Sequence, residues 1–250
     1  MGRRAAHLVA GVAAVLAFAG CSSGSPESGG EPSSDVVRTE AGPLPAPPQP
    51  DPVIVAEAVV PVVQVFDQPD ESGPVTRTVP APRPSGAPTV FVVLQRRTAM
   101  AEVLLPLRPP GSSGWVRLGD VRLTQHRWRI VVELAAYRLT VFQGPDVVRV
   151  ETIGIGTAGT PTPGGRWYTT ELLQPPSPDG PYGTYAFGLS GFTGSEDGPA
   201  GAYGELGLHG TNDPSTLGRN VSLGCLRMSN EAISALATQL PLGVPVDVRP

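Results

Sequence analysis

At 250 residues the chain has room for two modest domains but not three. Its 31 Gly and 30 Pro exceed ordinary usage, yet 40% hydrophobic residues still suffice for packed cores, so turns and linkers must absorb the excess. Only 16% of residues are charged and the formal net charge is -4, which leaves no basic stripe to neutralise phosphates and argues against a nucleic-acid partner.

The chain starts with basic Met1-Gly2-Arg3-Arg4 and continues into an apolar run over 8–19. Residues 1–20 therefore read as a secretory signal, too short to span a bilayer stably. Small residues at 19 and 20 stand directly before Cys21 and resemble the bacterial lipoprotein signal. That resemblance implies lipidation at Cys21 and a membrane anchor on the outer face of the cytoplasmic membrane. Residues 21–52 are rich in Ser, Gly, Pro and Glu and read as a disordered tether, with a reach of about 30 Å if coil-like. With Cys21 committed to an anchor, Cys225 is the one remaining thiol, and a lone cysteine in an exported chain is a candidate reactive group.

Residues 53–124 carry short apolar runs of strand character split by Pro and Gly clusters, which predicts a small all-β module. Gly114-Trp115-Val116 after a proline-rich loop resembles bacterial SH3-like modules. Binding of wall peptide or glycan and service as a spacer both fit such a module, which holds neither histidine nor cysteine.

A second domain is expected over 126–250. Strands are predicted at 128–133, 137–142, 147–153 and 166–173, the first three forming a meander through the turn Gln143-Gly144-Pro145-Asp146. Gly154-x-Gly156-x-x-Gly159 has the spacing of a dinucleotide loop, but two prolines follow where that fingerprint must open a helix. The loop over 175–201 carries Tyr182 and Tyr185, which can line a channel or simply pack. Near the end, Ser229 is placed to cap a short helix, with Glu231 in its first turn, Ile233, Leu236, Ala237 and Leu240 at helical spacing, and Pro241 as its stop.

The chemistry is concentrated in Leu208-His209-Gly210-Thr211-Asn212 and Ser222-Leu223-Gly224-Cys225-Leu226-Arg227-Met228-Ser229-Asn230, with Cys225 sixteen residues after His209. A thiol is a strong nucleophile as its thiolate, and an imidazole within reach can take the proton. Gly210 and Gly224 let backbone approach a substrate, leaving groups free to orient the imidazole or hold an oxyanion. A metal site is not expected, because the folded part offers only His126, His209 and Cys225 as nitrogen or sulfur ligands.

The order His209, Ser222, Gly224, Cys225, Arg227, Asn230 resembles the signature of the L,D-transpeptidase catalytic domain family over roughly the last half of the chain, and the Pro-Thr-Pro-x-Gly run at 161–165 resembles a recurring feature of the same domain. One departure is Leu223, where that family most often has histidine. The resemblance implies a mainly β catalytic domain, preceded here by the SH3-like module, that needs no cofactor. It implies Cys225 as nucleophile and His209 as base, with Gly210, Gly224 and Ser222 orienting groups or holding the oxyanion, and with Arg227, Tyr185 and Asn230 meeting substrate. It also implies peptidoglycan stem peptides as partners, a 3→3 cross-link as product, and carbapenem-type β-lactams as acylating inhibitors. L,D-carboxypeptidase activity with water as acceptor, sortase-like transfer, and a non-catalytic wall-binding lipoprotein remain alternatives. Papain-like enzymes are disfavoured by chain order, since their cysteine precedes their histidine.

Overall fold

The computed structural model describes residues 52–193 and 204–250. The secretory signal, the lipidation site Cys21 and all of the tether but its last residue lie outside the described residues.

The first seven strands are β1 (Val53–Ala58), β2 (Val62–Phe66), β3 (Val75–Pro80), β4 (Val90–Arg96), β5 (Met100–Leu104), β6 (Ser113–Arg117) and β7 (Val121–His126). They form one antiparallel sheet in the order β3-β2-β6-β5-β4-β1-β7. Alternation puts Val63 and Val65 inside with Phe91, Val93, Val103 and Val116, while Gln64 between the two valines turns outward.

The second sheet uses β8 (Trp128–Glu133), β9 (Arg138–Gln143), β10 (Asp146–Thr152), β12 (Gly165–Leu173), β13 (Ala186–Phe192), β14 (Glu205–His209), β16 (Leu226–Arg227) and β17 (Pro245–Arg249). Its order is β10-β9-β8-β17-β12-β13-β14-β16, with β17 parallel to β8 and β14 parallel to β16. A short parallel pair, β11 (Ile155–Gly156) with β15 (Asn220–Ser222), stands apart. The helix α1 (Asn230–Gln239) begins where Ser229 Oγ accepts from Ala232 N at 3.1 Å, and Glu231 sits in the first turn against the positive end of the helix. Its Ile233 and Leu236 pack with Ile130, Phe187, Leu208, Val246 and Val248 into the main core. The mainly β class read from the sequence is thus the class observed.

The two sheets meet over a third apolar cluster. Tyr168 of β12 is fully buried among Val53, Val55, Val90, Val92 and Leu104, and its hydroxyl donates to Val90 O at 3.1 Å. Beside it, Arg83 forms ion pairs with Glu171 at 3.2 Å and Glu205 at 2.9 Å, and Ser85 Oγ also donates to Glu171. At the crossing between the sheets, His126 Nδ1 accepts from Trp128 N at 3.1 Å, so Nε2 carries the proton it shares with Gly243 O at 3.3 Å.

Candidate active site

Strand pairing assembles the site. β14 and β16 run parallel with His209 opposite Arg227 and Leu208 opposite Leu226. Leu208 and Leu226 enter the main core, so alternation turns His209, Arg227 and Cys225 to the other face. Two parallel neighbours need a long connection, and residues 210–225 supply it through a 3-10 turn at Pro214–Thr216 and then β15. His209 thus ends one strand while Cys225 stands immediately before the next.

His209 is almost fully buried, and its Nδ1 lies 2.6 Å from Gly210 O. A carbonyl only accepts, so Nδ1 carries the proton and the Nε2 lone pair is left for another group. Burial holds the imidazole down at about 4, the Arg227 charge adds to that effect, and the Gly210 bond opposes it in part. Burial also pushes the Cys225 thiol up, against a hydrogen bond from the Gly207 backbone and the Arg227 charge. Both groups are therefore neutral at rest near pH 7, a thiol and an imidazole on one face rather than a preformed ion pair. The Tyr182 ring meets the imidazole edge-on with centroids 4.9 Å apart, and its phenol is raised by burial and by the Cys225 charge.

The loop before the cysteine is held from several sides. Gly224 has φ +118°, and a Cβ there would come 2.7 Å from Thr193 Cγ2, so both conformation and space demand glycine. Ser222 Oγ accepts from Gly224 N at 3.1 Å and donates to Cys225 O at 2.6 Å. Thr162 Oγ1 accepts from Gly156 N at 2.9 Å and donates to Gly224 O at 2.8 Å, while Thr160 Oγ1 donates to Ser222 O at 3.0 Å. The glycine-rich and Pro-Thr-Pro segments are thus the buttress of the cysteine loop.

Asn230 ties the opposite wall together. Its Oδ1 accepts from Thr211 N at 3.1 Å and Thr184 N at 3.3 Å, binding the residues after His209 to the loop that carries Tyr182. A Cβ at Gly183 would come 1.9 Å from that oxygen and one at Gly210 2.2 Å, so the amide fills the room both glycines leave.

The sequence-predicted residues therefore fall into three settings. Cys225, His209 and Arg227 share one face, and Arg227 Nε is buried without a hydrogen-bond partner. Gly210, Ser222 and Gly224 hold the backbone around His209 and Cys225, with the Gly224 N–H already given to Ser222. Asn230 is spent on backbone, and Tyr185 packs half-buried against the core while its carbonyl accepts from Gly210 N at 3.1 Å. Leu223 is 56% exposed. Sequence reasoning missed the hydroxyls of Thr160 and Thr162. The Pro-Thr-Pro run marked their place, but their partners lie 62 residues away.

Residues 127–248 match the model of the L,D-transpeptidase catalytic domain family, YkuD. Over these residues the chain is similar to that family. The YkuD protein of Bacillus licheniformis, whose assigned name is that of an L,D-transpeptidase, is 33% identical over 123 residues, which cover 49% of this chain and 66% of that protein. The ErfK/SrfK protein of Escherichia coli, named in the same way, is 36% identical over 135 residues, 48% of this chain and 43% of its own. The chain thus spans just under two thirds of the first relative and less than half of the second. Among solved structures, L,D-transpeptidase 3 from Mycobacterium tuberculosis in complex with a faropenem-derived adduct is 17% identical, with TM-score 0.41, covering 55% of this chain and 73% of that one.

Proposed function

We propose that this protein is a cysteine L,D-transpeptidase that joins peptidoglycan stem peptides. The reading rests above all on one observation: the Nδ1–H tautomer of a buried, neutral His209, which leaves Nε2 as a base on the face that carries Cys225. In the first half-reaction the Cys225 proton passes to Nε2 as the sulfur adds to the carbonyl between the third and fourth stem residues. The oxyanion is held by backbone N–H, for which Cys225 N is the donor left once Gly224 N is bound to Ser222. Collapse breaks the C–N bond, Nε2–H protonates the departing D-Ala amine, and a thioester remains. An amine on a neighbouring stem then attacks the thioester and gives its proton to His209, which returns it to the sulfur. The product is a 3→3 cross-link, whereas water as acceptor gives a shortened stem. Arg227, with Nε unpaired beside the pair, is the group for a substrate carboxylate.

Carbapenem-type β-lactams acylate the same thiol in this reading. Incubation with a carbapenem followed by intact-mass measurement should show one adduct on the wild type and none on Cys225→Ala. No adduct on the wild type would instead indicate a wall-binding protein without turnover. The lipid anchor at Cys21 is part of the proposal. Wild type expressed in bacteria should enter the detergent phase on partitioning and Cys21→Ser the aqueous phase, while equal partitioning would exclude lipidation at that residue.

A further inference from the structure

A cavity of about 430 Å³ lies between the two sheets, away from the cysteine loop. Along β8, Ile130 and Val132 enter the core beneath α1, so Arg129 between them and Trp128 turns to the opposite face. On β17 the same alternation turns Asp247 that way between Val246 and Val248. Both line the cavity, with apolar walls from Val92, Leu104 and Trp167.

Arg129 is only 3% exposed. Its Nη2 donates to Gly144 O at 2.8 Å, but Nε and Nη1 are buried with no acceptor. A guanidinium does not give up its proton, so the fold carries a buried charge that it has not compensated. The carboxylate that lines the same cavity is already committed, since Asp247 is paired with Arg166 at 3.0 Å and with Arg249 at 3.5 Å. Arg96 also lines the cavity and adds positive charge. An unpaired cation lining a largely apolar chamber has the chemistry of a site for an amphipathic anion: the charge supplies orientation and the walls supply hydrophobic contact. The volume is at the small end of ligand pockets, about 300–1,000 Å³, which fits one short acyl chain or one amino-acid-sized group rather than a polymer segment.

We propose that this cavity binds a small carboxylate borne on an apolar body, with the carboxylate accepting from Arg129 and the body lying against Val92, Leu104 and Trp167. Two sources share that chemistry, a short fatty acyl chain and the C-terminal residue of a peptide. Titration of the full chain with octanoate and with N-acetyl-leucine distinguishes them, followed by calorimetry and by Trp fluorescence, since Trp167 forms part of the wall. At least one should saturate a single site. Octanoate alone assigns the acyl source, N-acetyl-leucine alone the peptide end, and both the shared chemistry. Octanol, which keeps the body and lacks the charge, should bind at least about tenfold more weakly, and Arg129→Met should weaken the carboxylate by at least about tenfold without lowering the melting temperature. Failure of both carboxylates at millimolar concentration overturns the proposal, as does unchanged binding in the folded variant. Should Arg129→Met not fold, the Nε–H resonance of Arg129 in the wild type decides: it must move during the titration, and a resonance that stays fixed at saturation overturns the assignment.

Discussion

His209 shows how a backbone carbonyl can do the work often given to a carboxylate. By accepting Nδ1–H, Gly210 O fixes the tautomer, and because it is uncharged it does little to draw the imidazole toward its cationic form. Burial then dominates and holds His209 at about 4. Carbapenem acylation is therefore expected to fall away as pH drops through about 4, not through the ordinary histidine value near 6.5. A pH–rate profile with its acid limb centred near 6.5 would contradict this. Stability follows the same group. The unfolded chain takes up the proton first, so the contribution is complete above 6.5 and is lost as pH falls, by roughly 3 kcal/mol at pH 4. The stability difference between wild type and His209→Gln should narrow correspondingly across that window. In His209→Ala the thiol must ionise unaided from a value that burial has raised, so the acylation rate should be strongly reduced at pH 7 and climb toward pH 9. A flat rate over that range would show that His209 is not the activating base.

The element that positions this chemistry is the loop 210–225, braced on one side by Thr160 and Thr162 and on the other by Asn230. Asn230→Ala leaves the N–H groups of Thr184 and Thr211 without their acceptor and should cost about 1–3 kcal/mol. It should also slow acylation, because Tyr182 and Gly210 are held through those contacts. Asn230→Asp keeps an acceptor and should recover most of the stability and rate in paired melts and adduct kinetics. Recovery by neither would mean that the brace is not what the amide contributes. These elements were unevenly legible in the sequence. The helix after Ser229 could be read because its cap, spacing and proline stop are all local, and its start and Ser229 cap are as expected. The meander at β8, β9 and β10 could be read for the same reason. β16, at two residues, is too short to carry a period, and β17 takes its place in the middle of the sheet through pairing with β8 more than 100 residues earlier in the chain. The motif marked His209 and Cys225, which the fold brings to one face. It did not reveal the threonine buttress, because no local pattern marks a hydroxyl whose partner is distant in sequence.

At the scale of the whole molecule, the two sheets are joined by groups that each would expose or strand at a cost. Tyr168 is one, fully buried on strands from both sides, and the Arg83 cluster is the other. Arg83 and Glu171 are nearly enclosed, with side chains 12% and 7% exposed, and Glu205 is at 22%. Burial already pushes the Glu205 carboxyl up, and Arg83 is what pulls it back. Glu205 also opens β14, the strand that ends in His209, so this joint and the candidate base share one short element. Arg83→Ala would leave two carboxylates buried near each other with no cation between them, a loss of about 3–5 kcal/mol at neutral pH. For a chain of this size that is a fall in melting temperature of roughly 6–20 °C. The loss should shrink toward pH 5. With Arg83 gone, the Glu205 value rises further, so the folded variant gains a proton as pH falls while the unfolded chain, at ordinary carboxylate values, has yet to do so. Melts of wild type and variant between pH 5 and 8 test this directly: a loss that is the same at both ends, or below about 1 kcal/mol throughout, would mean that the cluster is solvated in solution and does not hold the sheets together.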